Sequence, residues 1–245
     1  MRCLLDNVKD LLVALDRVTE PELMEGGEQI KAYSNADFDC SDNAFMNFLE
    51  KLLDKRSLKI NRDSLIIDLG CGPGNITERL ALKWPNSRVV GVDGSIAMLR
   101  EAEKRKDEMN FRFSKGTFSY VCMDIFALTE NPPNFLLGAD LVVSNSFIHH
   151  IHEPSKFWLA VKNISSFKTF HFHRDLRRPS TIEEAFLLQK KYLPKVTGVL
   201  ARDYLSSLRA AYTVKEVMSQ IDDMGLDAMF VDELEDRYLE IYGHF

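Results

Sequence analysis

At 245 residues, 45% of them hydrophobic and 28% charged, the chain is long and apolar enough to bury one α/β domain with an appended helical part. A net charge of −6 with interspersed acids and bases speaks against nucleic acid as a partner, because gripping a phosphate backbone calls for a basic face or stripe. No apolar run reaches the roughly 18–20 residues that span a bilayer, and Asp6, Lys9 and Asp10 interrupt any signal-peptide core, so a cytoplasmic address with no membrane partner is expected.

Four cysteines, Cys3, Cys40, Cys71 and Cys122, lack C-x-x-C or zinc-like spacing and read as reduced, packed thiols. Cys122 falls within a strand expected to be buried. No His/Cys/Asp cluster shows metal-ligand spacing, so no metal is expected.

In chain order, Leu4, Leu5, Val8, Leu11, Leu12 and Leu15 recur at helical spacing until Pro21 breaks the pattern. Phe45 to Leu53 form a second amphipathic stretch, so residues 1–60 read as a helical cap. The apolar segment Ser64-Leu65-Ile66-Ile67 then runs into Asp68-Leu69-Gly70-Cys71-Gly72-Pro73-Gly74-Asn75, and an amphipathic helix follows from Ile76 to Lys83. A strand entering a glycine-rich turn that opens a helix lets a ligand approach the main chain, and the helix N–H groups then face an anion. A dinucleotide fingerprint would place its third glycine at Asn75; here it falls at Gly74.

Val89 to Val92 form a second strand ending in Asp93, roughly twenty residues after the turn, as a βαβ unit requires. Its carboxylate suits the two hydroxyls of a ribose; alternatively it caps the helix from Ser95 to about Lys106. Tyr120 to Met123 form a third strand ending at Asp124-Ile125. Ala139 to Ser144 form a fourth, followed by Asn145 and the run His149-His150-Ile151-His152-Glu153-Pro154. A helix from Ser155 to Ile164 leads to a fifth strand, Lys168 to Arg174. Helices are expected over Ser180–Tyr192, Val199–Ala211 and Val214–Met224, and a terminal hairpin from Ala228–Val231 and Tyr238–Ile241.

The D-x-G-x-G-x-G run at Asp68–Gly74, with its three companions in order, resembles the class I S-adenosylmethionine-dependent methyltransferases over about 64–165. The resemblance implies an α/β fold, a Rossmann-like seven-stranded mostly parallel sheet with helices on both faces. An N-terminal helical cap would precede a methyltransferase domain of residues 61–245, with a helical insertion after strand five at about 180–212. It also implies S-adenosylmethionine as cofactor and S-adenosylhomocysteine as product. Gly70, Cys71, Gly72 and Asn75 would hold the methionine moiety, with Asp68 on its amino group. Asp93 would hold the ribose beside Gly94, Ser95 and Met98, and Asp124 with Ile125 the adenine. Ser144 and Asn145 would line the sulfonium side, with Tyr33 as a lid contact or a packing residue. Relatives carry a proline–glycine–glycine turn before strand five, where this chain reads Asn163-Ile164-Ser165-Ser166-Phe167-Lys168.

Transfer from a sulfonium is an in-line displacement, to which the protein contributes positioning and exclusion of water. His149 and His150 stand where an acceptor would sit and can take its proton; holding the loop is the plainer role. His152, Arg174 and Arg177 are candidate acceptor-binding groups, the guanidinium ions suiting a carboxylate or phosphate, with surface solvation as the alternative. His171 and His173 read as ordinary sheet residues. The expectation is methyl transfer to a small-molecule acceptor by a monomer or homodimer. The alternatives are an RNA or protein methyltransferase and a non-catalytic S-adenosylmethionine-binding protein.

Overall fold

A computed structural model describes residues 15–108, 118–194, 196 and 198–245. Leu15 apart, the helix expected at the N-terminus lies outside the described residues, as does Cys3. The strands are β1 (Leu65–Leu69), β2 (Arg88–Asp93), β3 (Phe118–Cys122), β4 (Ala139–Asn145), β5 (Ser165–Leu176), β6 (Met229–Leu234) and β7 (Tyr238–Gly243). They form one sheet in the order β3-β2-β1-β4-β5-β7-β6. Every pairing from β3 to β5 is parallel, and β7 runs antiparallel to both neighbours.

The helices among the described residues are α1 (Gly27–Ser34), α2 (Asp39–Lys55), α3 (Asn75–Lys83), α4 (Ile96–Glu108), α5 (Ile125–Glu130), α6 (Pro154–Ile164), α7 (Ile182–Tyr192), α8 (Val199–Ala210) and α9 (Val214–Asp223). Because strand side chains alternate, one sheet feeds two cores. Ile67, Val90 and Val142 join Phe157, Trp158 and Ile221 on one face. Ile66, Val89, Val143 and Phe172 join Phe45, Leu49 and Leu80 on the other. Phe157, with no exposed surface, contributes about 1.5–3 kcal/mol by burial alone. A third cluster, built on Leu176, Ala185, Leu188 and Leu208, packs α7 and α8 past the end of β5.

Three local features depart from the sequence reading. Cys122 is exposed, because β3 is the edge strand. Helix α5 was not anticipated; at 6 residues it is too short to show a helical period. In place of a proline–glycine–glycine turn, α6 runs directly into β5. There Ser165 donates to the Val161 carbonyl at 2.6 Å, and the Ser166 amide donates to Thr169 at 2.7 Å. Helix α9 opens on a reciprocal capping box between Thr213 and Glu216.

Candidate active site

A cavity of about 910 Å³ lies at the carboxyl ends of β1, β2 and β4, where a parallel sheet binds ligands. Its floor is the glycine turn. The amides of Gly70 and Cys71 both donate to the Val92 carbonyl, at 2.8 and 3.1 Å, which pins the turn to the end of β2. The Gly72 amide donates to Asp93 Oδ2 at 2.8 Å, and Asp93 Oδ1 takes the Ser95 amide at 2.7 Å. Asp93 thus does the capping work its alternative reading described, while its carboxylate stays on the cavity wall. Burial raises its pKa and the two amides pull it back.

The three turn glycines all have positive φ but serve different ends. A Cβ on Gly70 would sit 2.3 Å from the Phe147 ring, and one on Gly74 2.1 Å from the Tyr120 hydroxyl. Those two glycines make room for protein. Gly72, at φ +51° on the cavity wall, is the one of the three with nothing within 4 Å of its missing Cβ.

Beneath the turn, Asp68 is buried and accepts the Thr77 hydroxyl at 2.6 Å; burial pushes its pKa up to about 7. Asn75 donates through Nδ2 to Asp42 at 3.2 Å, while its buried Oδ1 has no partner. That orphaned acceptor on the cavity wall is what a ligand's ammonium group would satisfy, so this end fits the methionine moiety. Asp42, from α2, has its pKa pushed up to about 6 by burial, with Arg79 3.7 Å away drawing it down.

Residues 15–24 form a strap across the cavity. Arg17 donates from Nε to the Ala210 carbonyl at 2.7 Å and from Nη2 to those of His149 and Ile151 at 3.2 and 3.1 Å. Ser95 donates to the Met24 carbonyl at 2.8 Å, and Leu23 lies over Gly94. The strap delivers Glu20 to the end of the cavity beside the turn after β4, where Ser207 donates to its Oε1 at 3.0 Å.

There His149 is buried, its Nδ1 donating to Asp175 Oδ1 at 2.5 Å and its amide to Asp175 Oδ2 at 3.0 Å. Burial pulls its pKa down, but Asp175 at Nδ1 and Glu20 beyond Nε2 outweigh this and leave it raised. The His150 ring lies 4.3 Å from that of His149, and burial with the neighbouring His149 charge drops its pKa to about 3.

Of the residues the sequence singled out, Tyr33, Asp68, Gly70, Cys71, Gly72, Asn75, Asp93, Gly94, Ser95, Met98, Asn145, His149, His150 and Arg174 line the cavity. Asp124, Ile125, Ser144, His152 and Arg177 do not. Asp124 caps α5 through the Ala127 amide at 2.7 Å, close to Gly94 but outside the wall, and Ile125 packs into the core. Ser144 is buried against His173 Nδ1 at 2.9 Å. His152 holds the strap, bonding the Glu20 carbonyl at 2.6 Å and, through its amide, Glu22 at 2.9 Å. Arg177 pairs with Glu233 at 3.2 Å on the far side of the hairpin.

Arg174 lies inside strand five rather than at its end, since β5 continues to Leu176. Its guanidinium forms a buried pair with Glu240, Nε to Oε1 at 2.9 Å, opposite it in the β5–β7 register. Sequence reasoning missed Glu20, Asp42 and Asp175. Only Asp42 carried a signal, as a carboxylate on the apolar face formed by Phe45, Met46 and Leu49.

Residues 66–169 match the family model described as a methyltransferase domain. That match covers less than half of the chain. A trans-aconitate 2-methyltransferase from Rhodopseudomonas palustris is 52% identical to this chain over 46 residues, 19% of the chain and 18% of that protein. One from Methylobacterium nodulans is 37% identical over 78 residues, 32% of the chain and 27% of that protein. The chain thus spans only about a fifth to a quarter of the length of these curated relatives. Among solved structures, an S-adenosyl-L-methionine-dependent methyltransferase from Methanococcus maripaludis superposes with a TM-score of 0.66 at 15% identity, covering 93% of this chain and 97% of that one. The plantazolicin methyltransferase BpumL, in complex with a pentazolic desmethylPZN analog and SAH, gives 0.63 at 12% identity, covering 89% and 90%. These two share the fold of this chain.

Proposed function

We propose that the protein transfers the methyl group of S-adenosylmethionine to a small-molecule acceptor, releasing S-adenosylhomocysteine. The observation that carries this reading is a single cavity with two chemically different ends. One end has the glycine turn, Asp68, Asn75 and Asp93; the other has His149, His150 and Glu20. The cofactor, when bound, supplies an activated methyl group on a sulfonium.

The chain's own residues then bind, orient and exclude water. Gly72 leaves the main chain open to the methionine moiety, and Asp68 and Asn75 Oδ1 accept from its ammonium group. Asp93 accepts from the ribose hydroxyls while its bonds to Gly72 and Ser95 hold it in place. The Gly94 surface beneath Leu23 borders the nucleoside, with Asp124 beside it at the adenine edge and Ile125 packed beneath in the core. Ser144 fixes the end of β4 so that Asn145 faces the sulfonium side.

His149 and His150 are the groups that engage the accepting atom, and Asp175 fixes the ring of His149. Residues 1–60, with Tyr33, act as the cap, and the helices of residues 180–212 close the acceptor end. A cavity crossed by a strap and bordered by two added helices suits a small acceptor, and so do the trans-aconitate methyltransferase relatives. Arg174 reaches the wall from its pair with Glu240, and His152 and Arg177 support the surrounding loops.

The test is incubation of the pure protein with methyl-labelled S-adenosylmethionine and a fractionated cell extract. Label is expected in a small-molecule fraction. Label only in protein or RNA would refute a small acceptor, and no enzyme-dependent transfer would refute the activity.

A further inference from the structure

We propose that Glu20, His149 and His150 form a seat for one zinc-class divalent ion at the acceptor end of the cavity, with Asp175 orienting His149. Each residue offers one ligand atom, and the three atoms lie within 4.8 Å of one another; among the described residues no other such group occurs. Glu20 Oε1 is 3.4 Å from His149 Nε2 and 3.4 Å from His150 Nδ1. Ligands about 2.0–2.2 Å from a tetrahedral ion stand about 3.3–3.5 Å apart, so two edges of the coordination figure are already drawn.

The outer groups match as well. A metal-bound imidazole donates its second ring N–H to a carboxylate, which fixes the tautomer and turns the other nitrogen's lone pair towards the ion. Asp175 does this for His149, taking Nδ1–H at 2.5 Å and the residue's own amide at 3.0 Å. Glu20 is held in turn by the Ser207 hydroxyl at 3.0 Å. The ligands come from chain segments far apart in sequence, the strap and the turn after β4, which Arg17 ties together through the His149 carbonyl.

All three ligands line the cavity, so the remaining coordination positions face the space for the acceptor. Three protein ligands with an open position make a catalytic rather than a structural arrangement. The seat deepens the functional reading above and rests on it for its role. The acceptor class it favours is one with adjacent oxygen donors, or a thiol, that bind the ion directly.

The test uses the full chain stripped of metal by a chelator and titrated with Zn2+ by calorimetry and with Co2+ by visible absorption. One equivalent should bind, with the ligand-field bands of a nitrogen- and oxygen-coordinated cobalt ion. Glu20→Gln and His149→Gln should each abolish those bands. Asp175→Asn should weaken Zn2+ about 10–100-fold, and His244→Gln, at the Thr169 carbonyl outside the cavity, should leave binding unchanged.

Absence of cobalt bands in the unmutated protein overturns the seat without any variant having to fold. So does an intense sulfur-to-cobalt band, which would place the ion on exposed Cys40 or Cys122. S-adenosylhomocysteine binding is measured on the same stripped protein. Its retention without a metal site removes the seat alone, and a metal site without it removes the methyl-transfer reading on which the seat's role rests.

Discussion

Asp93→Asn is the most informative single change. Each carboxylate oxygen takes one backbone amide, Oδ2 from Gly72 at 2.8 Å and Oδ1 from Ser95 at 2.7 Å. Asparagine keeps the shape but replaces one acceptor with an NH2 donor, so one amide loses its partner and faces a donor. A hydrogen bond to a charged group is worth about 1.5–3 kcal/mol, and that is the expected loss of unfolding free energy in urea. The ribose hydroxyls lose a charged acceptor of the same strength. Affinity for S-adenosylhomocysteine should therefore fall about tenfold to 150-fold in titration calorimetry. A folded variant with affinity within twofold of the parent and unchanged urea stability would refute the placing of the ribose on Asp93.

Further outcomes follow from the same geometry. Gly70→Ala drives a Cβ into Phe147 at 2.3 Å and should cost about 1–3 kcal/mol from overpacking, plus left-handed backbone strain, whereas Gly72→Ala carries only the strain of about 1–2 kcal/mol but should impair S-adenosylhomocysteine binding more. Urea titrations paired with calorimetry separate the two. Burial lowers the pKa of His173 to about 3, so between pH 6.5 and 3 the unfolded chain binds a proton that the folded chain refuses. Stability should fall on acidification through that window by up to about 1.4 kcal/mol per pH unit, and His173→Gln should flatten the slope. Arg174→Met leaves Glu240 buried without its partner and should destabilise by about 3–5 kcal/mol in urea; a loss under 1 kcal/mol would mean the pair is not structural.

The glycine-turn end of the cavity was legible because it is local. A strand, a turn and a helix read from Asp68 to Asn75 need no knowledge of the rest of the chain, and a βαβ interval brings Asp93 beside them. The acceptor end was not, because its chemistry is assembled across the chain. Glu20 reaches His149 from the strap, and Asp175 reads in sequence as one more polar residue at a strand end. Arg174 illustrates the same point in reverse. Its charge suggested an acceptor ligand, but the antiparallel register with β7 sets Glu240 directly opposite it. A hairpin partner more than sixty residues away decides what that guanidinium does. Cys122 turned outward for a topological reason, the position of β3 at the sheet edge, which hydrophobic pattern alone does not fix.

The most direct measurement is a crystal structure grown with S-adenosylhomocysteine. It should show the nucleoside under the strap, both ribose hydroxyls on Asp93 and the amino group between Asp68 and Asn75. Density for the ligand at any other place on the surface, with this cavity filled by side chains, would contradict the account.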